Sequence, residues 1–173
     1  MIRPLQIIAL GLTLFSAASS GGEPSRQSST YSASTKPIPA IRLAGRVTDA
    51  AHVLSETEKA KLTTKLERLE QRTRHQMVVV TVPSLGGRDV ADFARDLGNS
   101  WGIGRKGYND GVLLLVAPNE RKVRLAVGYG LEKTLTRKIC QQIIVQKVLP
   151  RLREGNLAGG VDAGTDAVIA SLM

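Results

Sequence analysis

The apolar residues of the chain fall into two kinds of run, and their spacing predicts which become strands and which become helices. Residues 112–117, Val-Leu-Leu-Leu-Val-Ala, show no alternation, the pattern of a strand covered on both faces inside an α/β sheet. Beyond Pro118-Asn119-Glu120-Arg121, residues 122–127 set Lys122, Arg124 and Ala126 against Val123, Leu125 and Val127. One face of this returning strand therefore meets solvent or something anionic. The two runs form a β-hairpin with a glycine-rich loop at each open end, residues 102–111 and Gly128-Tyr129-Gly130, and both loops are expected at one rim of the sheet, where ligands of open α/β sheets tend to sit. The β-branched run 76–83 reads as a second buried strand neighbouring 112–117, and Gly45-Arg46-Val47-Thr48-Asp49 as a short extended entry.

Helical spacing fills the intervals. Ser55 and Glu58 have capping-box spacing ahead of Leu62, Leu66 and Leu69, with Lys59, Lys61, Lys65, Arg68, Arg72 and Arg74 on the other faces. Asp89 can cap a helix through Asn99 that buries Val90, Phe93, Ala94 and Leu97 and is closed by Trp101. Thr136 can cap a helix carrying Ile139, Ile143, Ile144, Val148 and Leu149, with Pro150 near its end, and a last amphipathic segment, 161–172, follows Gly159-Gly160. The order β-α-β-α-β-β-α-α predicts an α/β fold: a three-layer α/β/α sandwich with a small mixed sheet of about four strands.

The first 42 residues have a different character. Arg3, an apolar run over 5–15 too short to span a bilayer, and the small residues 16–20 predict a signal peptide over 1–20, cleaved after Ala18 or Ser20. Residues 21–42, rich in serine and proline, hold too few apolar side chains to offset the entropy of ordering and are expected to be a disordered linker. The folded domain is expected over 43–173, in a periplasmic or secreted protein with no transmembrane segment after cleavage.

Composition narrows the chemistry. Aromatic residues make up 3% of the chain, so the core is aliphatic and no platform for stacking bases is present, which argues with the export signal against nucleic acid. A formal net charge of +9 fits anionic surroundings. The single cysteine, Cys140, lies in an apolar helical pattern and reads as a packed thiol; His52 and His75 have no metal-ligand spacing. No Gly-x-Ser-x-Gly occurs, and Gly102-x-Gly104 precedes a strand instead of following one, so no catalytic residue is assigned and no nucleotide cofactor is expected.

Four motifs in order, Val47-Thr48-Asp49-Ala50 leading to Leu54-Ser55, Trp101-Gly102-Ile103-Gly104, Asp110-Gly111 with residues 112–117, and Val127-Gly128-Tyr129-Gly130-Leu131-Glu132, resemble the TPM domain over about residues 43–173. The resemblance implies an exported or lumenal α/β/α domain and, for some members, divalent-cation binding or weak acid phosphatase activity. The hard oxygen ligands that Ca²⁺ or Mg²⁺ prefers would come from Asp49, Asp110 and Glu132, expected to converge at the loop end. For Asp110 turn chemistry beside Gly111 weighs equally, Asp49 serves as well in an Asx turn, and Glu132 as a surface carboxylate beside Lys133.

The chain departs from the family pattern in two places. Asn109-Asp110 stands where an aspartate pair or Asp-Asn is usual, and Leu135-Thr136-Arg137 where an aspartate often follows the turn. A cation at 137 weakens a cation site, since unit charges a few Å apart interact by about 4 kcal/mol at an effective dielectric of 20. Arg105, Lys106, Arg137 and Lys138 are instead candidates for receiving a phosphate or carboxylate. Three functions follow: a non-catalytic exported module that binds an envelope protein or component, a divalent-cation-dependent phosphomonoesterase, or an electrostatic binder of anionic membrane surface through the basic helix of residues 59–74.

Overall fold

A computed structural model describes residues 41–173. The expected signal peptide and all but the last two residues of the expected linker lie outside the described residues. Strand β1 (Val47–Asp49) enters helix α1 (Glu56–Thr73), followed by β2 (Gln76–Thr81), α2 (Val90–Trp101), β3 (Gly111–Ala117) and β4 (Lys122–Val127). A single 3₁₀ turn, Tyr129–Leu131, leads to α3 (Arg137–Ile143), α4 (Leu149–Arg153) and α5 (Leu157–Leu172). The sheet order is β1-β2-β3-β4, with the first three strands parallel and β4 antiparallel to β3.

The periodicities act as expected. Along β3 every residue is buried: Val112, Leu114 and Val116 face the layer made by α1, α3 and α5, while Leu113, Leu115 and Ala117 face Phe93, Ala94 and Leu97 of α2. These two apolar clusters, one on each face, are what makes the domain an α/β/α sandwich around a mixed four-stranded sheet. Ser55 caps α1 with the reciprocal Glu58 bond, Asp89 caps α2 and Thr136 caps α3. Cys140 is buried, as the apolar pattern around it implies, and burial pushes its thiol pKa up.

One helix boundary differs from the sequence reading. The last helix starts at Leu157, not after the glycine pair, because the Asn156 side chain accepts from Gly159 N–H and caps it there; Gly159 and Gly160 are its third and fourth residues. Gly160 and Gly164 let α5 pack close, since a Cβ at either would strike Leu152 or Val148. Pro150 lies near the end of the continuous helical run that opens at Arg137 and closes at Arg153, as the sequence pattern implies. A widened turn over Ile144–Val148 joins α3 to α4, and Pro150 sits in the first turn of the continuation, where its missing N–H costs no helical bond.

The basic side of α1 is partly neutralised. Lys59 pairs with Glu56, and Lys61 and Lys65 reach Asp162 and Asp166 of α5. Arg68, Arg72 and Arg74 carry no ion pair among the described residues. No helix among the described residues is long and apolar enough to cross a membrane.

Candidate functional site

The two glycine loops do meet at one rim. Gly130 N–H donates to the Asn109 carbonyl and Gly128 N–H to that of Gly111, so the turn after β4 lies on the loop before β3. A Cβ at Gly128 would collide with the Asn109 oxygen, and one at Gly130 with the Tyr108 oxygen. Only glycine permits this approach of two backbones. The rim exposes the two tyrosines of the described chain, Tyr108 at 64% and Tyr129 at 81%.

Asp110 anchors the rim from beneath. Its side chain is buried, Oδ1 accepts the Arg105 N–H at 2.7 Å, and Oδ2 accepts from Arg105 Nε at 2.8 Å and lies 2.7 Å from the second guanidinium nitrogen. His75 Nδ1 stands 3.3 Å from the same oxygen. Burial pushes the Asp110 carboxyl up, but the bonds from Arg105 and His75 and the guanidinium charge outweigh it and hold the pKa below the ordinary value. The Arg105 guanidinium also lies 4.2 Å above the Tyr108 ring. Gln76 completes the arrangement: its N–H donates to the Asp110 carbonyl and its Oε1 accepts from Gly104 N–H at 2.9 Å.

Asp49 is at the opposite end of the sheet. The parallel register sets Asp49, which ends β1, beside Thr81 at the end of β2, whereas Asp110 precedes Gly111, which pairs with Gln76 at the start of β2. The expected convergence of Asp49 with Asp110 is therefore corrected by strand direction. Asp49 Oδ1 accepts from Val53 N–H at 3.1 Å and from the buried Thr81 hydroxyl, and Oδ2 from Leu54 N–H at 2.9 Å. Burial raises its pKa, and the Thr81, Leu54 and Val53 bonds outweigh that and lower it overall. This is the Asx-type turn reading of Asp49, tying β1 to the entry of α1.

Glu132 is exposed and lines a cleft of about 290 Å³ between β4 and α3. Arg124 and Arg137 line the same cleft above a floor that includes Leu135, Cys140 and Ile144. Arg124 Nε is buried without a hydrogen-bond partner, and neither arginine has an ion pair among the described residues. The four cations named from the sequence are not one site: Arg105 is committed to Asp110, Lys106 is exposed on the rim loop, Arg137 lines the cleft, and Lys138 is exposed beside it on α3.

A divalent cation does not fit this donor set. Asp49 and Asp110 lie at opposite ends of the sheet, and the oxygens of both accept from protein donors, a guanidinium among them at Asp110. Among the described residues no group of three His, Cys, Asp or Glu side chains is placed to hold a metal ion. The sequence reading missed His75, Gln76, Thr81 and Arg124. A signal existed for Arg124, the cationic face of an alternating strand, but His75 and Gln76 reach Asp110 and Gly104 only through the pairing of β2 with β3.

A mixed sheet between two helical layers, with a glycine rim pinned by one buried aspartate, defines a small α/β/α domain. The chain belongs to the TPM domain family, which matches residues 47–171. Among solved structures it is similar to the N-terminal domain of a protein from P. gingivalis, with 35% identity and a TM-score of 0.69 over 73% of this chain and 80% of that one. The N-terminal domain of the cg2496 protein from Corynebacterium glutamicum shares the fold at 17% identity and TM-score 0.60, over 83% and 88% of the two chains. The BA42 protein from Bizionia argentinensis does so at 18% and 0.61, over 69% and 81%. No curated protein matches the sequence.

Proposed function

We propose that the chain is an exported, non-catalytic binding domain of the cell envelope that engages a partner protein through its glycine rim. The observation that carries this reading is the exposure of Tyr108 and Tyr129 on adjacent turns whose backbones are fixed by the Gly128 and Gly130 contacts. Tyrosine and arginine are the side chains that most often anchor protein interfaces, and a preorganised backbone lowers the entropy lost on binding. The consumption of Asp110 and Asp49 by internal donors supports a structural use of the carboxylates over a hydrolytic one. Export rests on the N-terminal sequence pattern and the envelope on the family resemblance.

The test is a photoreactive amino acid in place of Tyr129 in the full chain, expressed in its own host. A discrete adduct with one envelope protein, lost when Tyr108→Ser is added, is the expected result. Absence of any rim adduct, or hydrolysis of a generic phosphomonoester by the purified domain that disappears in Asp110→Asn while the fold is kept, would overturn the reading.

A further inference from the structure

Residues 133–153 contain no aspartate or glutamate and carry six cations, Lys133, Arg137, Lys138, Lys147, Arg151 and Arg153. None of the six forms an ion pair among the described residues. Helix α1 is the opposite case: Glu56, Glu58, Glu67 and Glu70 lie along it, and its lysines are taken up by Glu56 and by Asp162 and Asp166 of α5. Uncompensated charge is therefore denser from α3 to α4 than on α1. Along that helical run Cys140, Ile143, Ile144 and Val148 are buried, and Leu149 and Leu152 pack on the same core. The run thereby turns Lys138, Gln142, Val145, Gln146, Lys147 and Arg153 to solvent over a length of about 25 Å. Arg151 Nη1 donates to the Lys147 carbonyl at 2.9 Å, which holds its guanidinium on the same stretch.

Helix stability does not account for these charges. Arg137 and Lys138 stand in the first turn of α3, where the helix dipole disfavours cations and where no acidic residue is present. Only Arg151 and Arg153, in the last turn of α4, have the favoured sign. Like charges without a counter-ion on the fold also repel one another, a cost that an external anionic surface removes. We propose that the outer face of the α3 to α4 run is a peripheral docking surface for an anionic phospholipid bilayer. A plane of phosphodiesters suits it, because long unpaired side chains reach a diffuse layer of negative charge without a fixed geometry. Val145, 48% exposed on the same face, adds a shallow apolar contact at headgroup level. The domain lies on the bilayer and does not enter it, since no helix among the described residues is long and apolar enough to cross. The surface is distinct from the tyrosine rim and does not depend on a partner protein there.

The test is co-sedimentation of the purified protein with vesicles of phosphatidylcholine mixed with phosphatidylglycerol, against vesicles of phosphatidylcholine alone. The neutral vesicles control for the apolar residues 5–15. Binding to the mixed vesicles only is expected, and its loss in about 0.5 M KCl. Each Lys or Arg near an anionic surface is worth about fivefold in partitioning, so Lys138→Gln/Lys147→Gln/Arg153→Gln should weaken binding about 100-fold. Removing the same charge from turns outside this helical layer, in Lys106→Gln/Arg121→Gln/Lys122→Gln, should weaken it by about fivefold or less. The charge-keeping Lys138→Arg/Lys147→Arg should bind as the wild type does, and unchanged thermal unfolding of each variant shows that a loss is not one of fold. Equal loss in the two triple variants would reduce the effect to net charge and overturn the proposal. So would binding that survives the salt, equal binding to neutral vesicles, no binding at all, or full competition by millimolar inorganic phosphate at matched ionic strength, which would mark a discrete anion pocket. Loss of vesicle binding in Tyr108→Ser/Tyr129→Ser would place the lipid contact on the rim and likewise overturn it. The two readings fail separately: a missing Tyr129 adduct with vesicle binding kept refutes the rim reading alone, and the reverse refutes this one.

Discussion

Asp49 and Asp110 are both carboxylates at strand ends, both with pKa values held below the ordinary range, and they lie at opposite ends of the same sheet. They differ in what surrounds them. Asp49 is held by two backbone N–H groups and a threonine hydroxyl, all neutral, and only a distant Lys59 adds charge. Asp110 is held by a guanidinium and the backbone of the same Arg105, with His75 beside them. The first closes a turn between strand and helix. The second binds the Arg105 guanidinium and fixes the loop that carries Tyr108. The same residue type, with the same direction of pKa shift, thus fills two unrelated roles, and a lowered aspartate pKa by itself says nothing about a metal.

Breaking each cluster should separate them. Asp110→Ala is expected to cost about 3 kcal/mol in chemical denaturation, because it strands a partly buried Arg105 and frees the rim loop; Arg105 is one-third exposed, so the cost belongs at the lower end for a broken pair. Asp110→Asn should be nearly as costly, since the amide NH₂ would face donors on Arg105 or His75. Asp49→Ala is expected to cost about 2 kcal/mol, mostly from the buried Thr81 hydroxyl and the Leu54 and Val53 amides losing their acceptor. Asp49→Asn should cost about 1 kcal/mol, because one amide oxygen can still accept from Thr81 and Val53. If asparagine is tolerated better at 110 than at 49, the distinction between a charged and a neutral environment is wrong.

The contrast also marks what could be read from the chain alone. The Ser55–Glu58 box, the uninterrupted run of β3 and the caps at Asp89 and Thr136 are local, set by residues a few positions apart, and the structure places them as the pattern implied. The meeting of the glycine loops was legible too, because a tight hairpin brings its own ends together. The site was not. Asp49 follows a strand and Asp110 precedes one, so in a parallel sheet they belong to opposite ends, a consequence that appears only once strand direction is assigned. The partners of Asp110 include His75, 35 positions away, which carries no signature of its own. Arg105, five positions from Asp110, was assigned to an outside anion because sequence gives no measure of which acid a free guanidinium will find first.

Acid should sharpen the comparison at a smaller scale. Both groups have folded pKa values lowered from an unfolded value of about 4. Their contribution is therefore fully present above that unfolded pKa and is lost as pH falls through the lower folded values, where the unfolded state binds more protons. Denaturation midpoints of wild type against Asp110→Asn and against Asp49→Asn, taken from roughly pH 6 down to pH 3, should converge in both cases. A gap for Asp110 that widened on acidification would mean that its carboxyl is protonated in the fold at neutral pH, and the ion pair with Arg105 would have to be abandoned.

Salt gives the smallest effect and the most discriminating one. At about 1 M KCl the Debye length falls to about 3 Å, so the attraction between Arg105 and Asp110 is screened from the exposed side of the guanidinium, while hydrogen bonds from neutral donors are not. The pair is covered on its other side by burial of Asp110 and by the Tyr108 ring, so screening is partial. The stability gap between wild type and Asp110→Asn should narrow by about 0.5 kcal/mol, and that for Asp49→Asn should not move, because Lys59 is the smallest contributor there. Equal narrowing at both sites would show that the field of a cationic protein, not the guanidinium in contact, sets the environment of both aspartates. The rim would then be held by its glycine contacts alone, and Gly128→Ala would become the variant that releases Tyr108 and Tyr129.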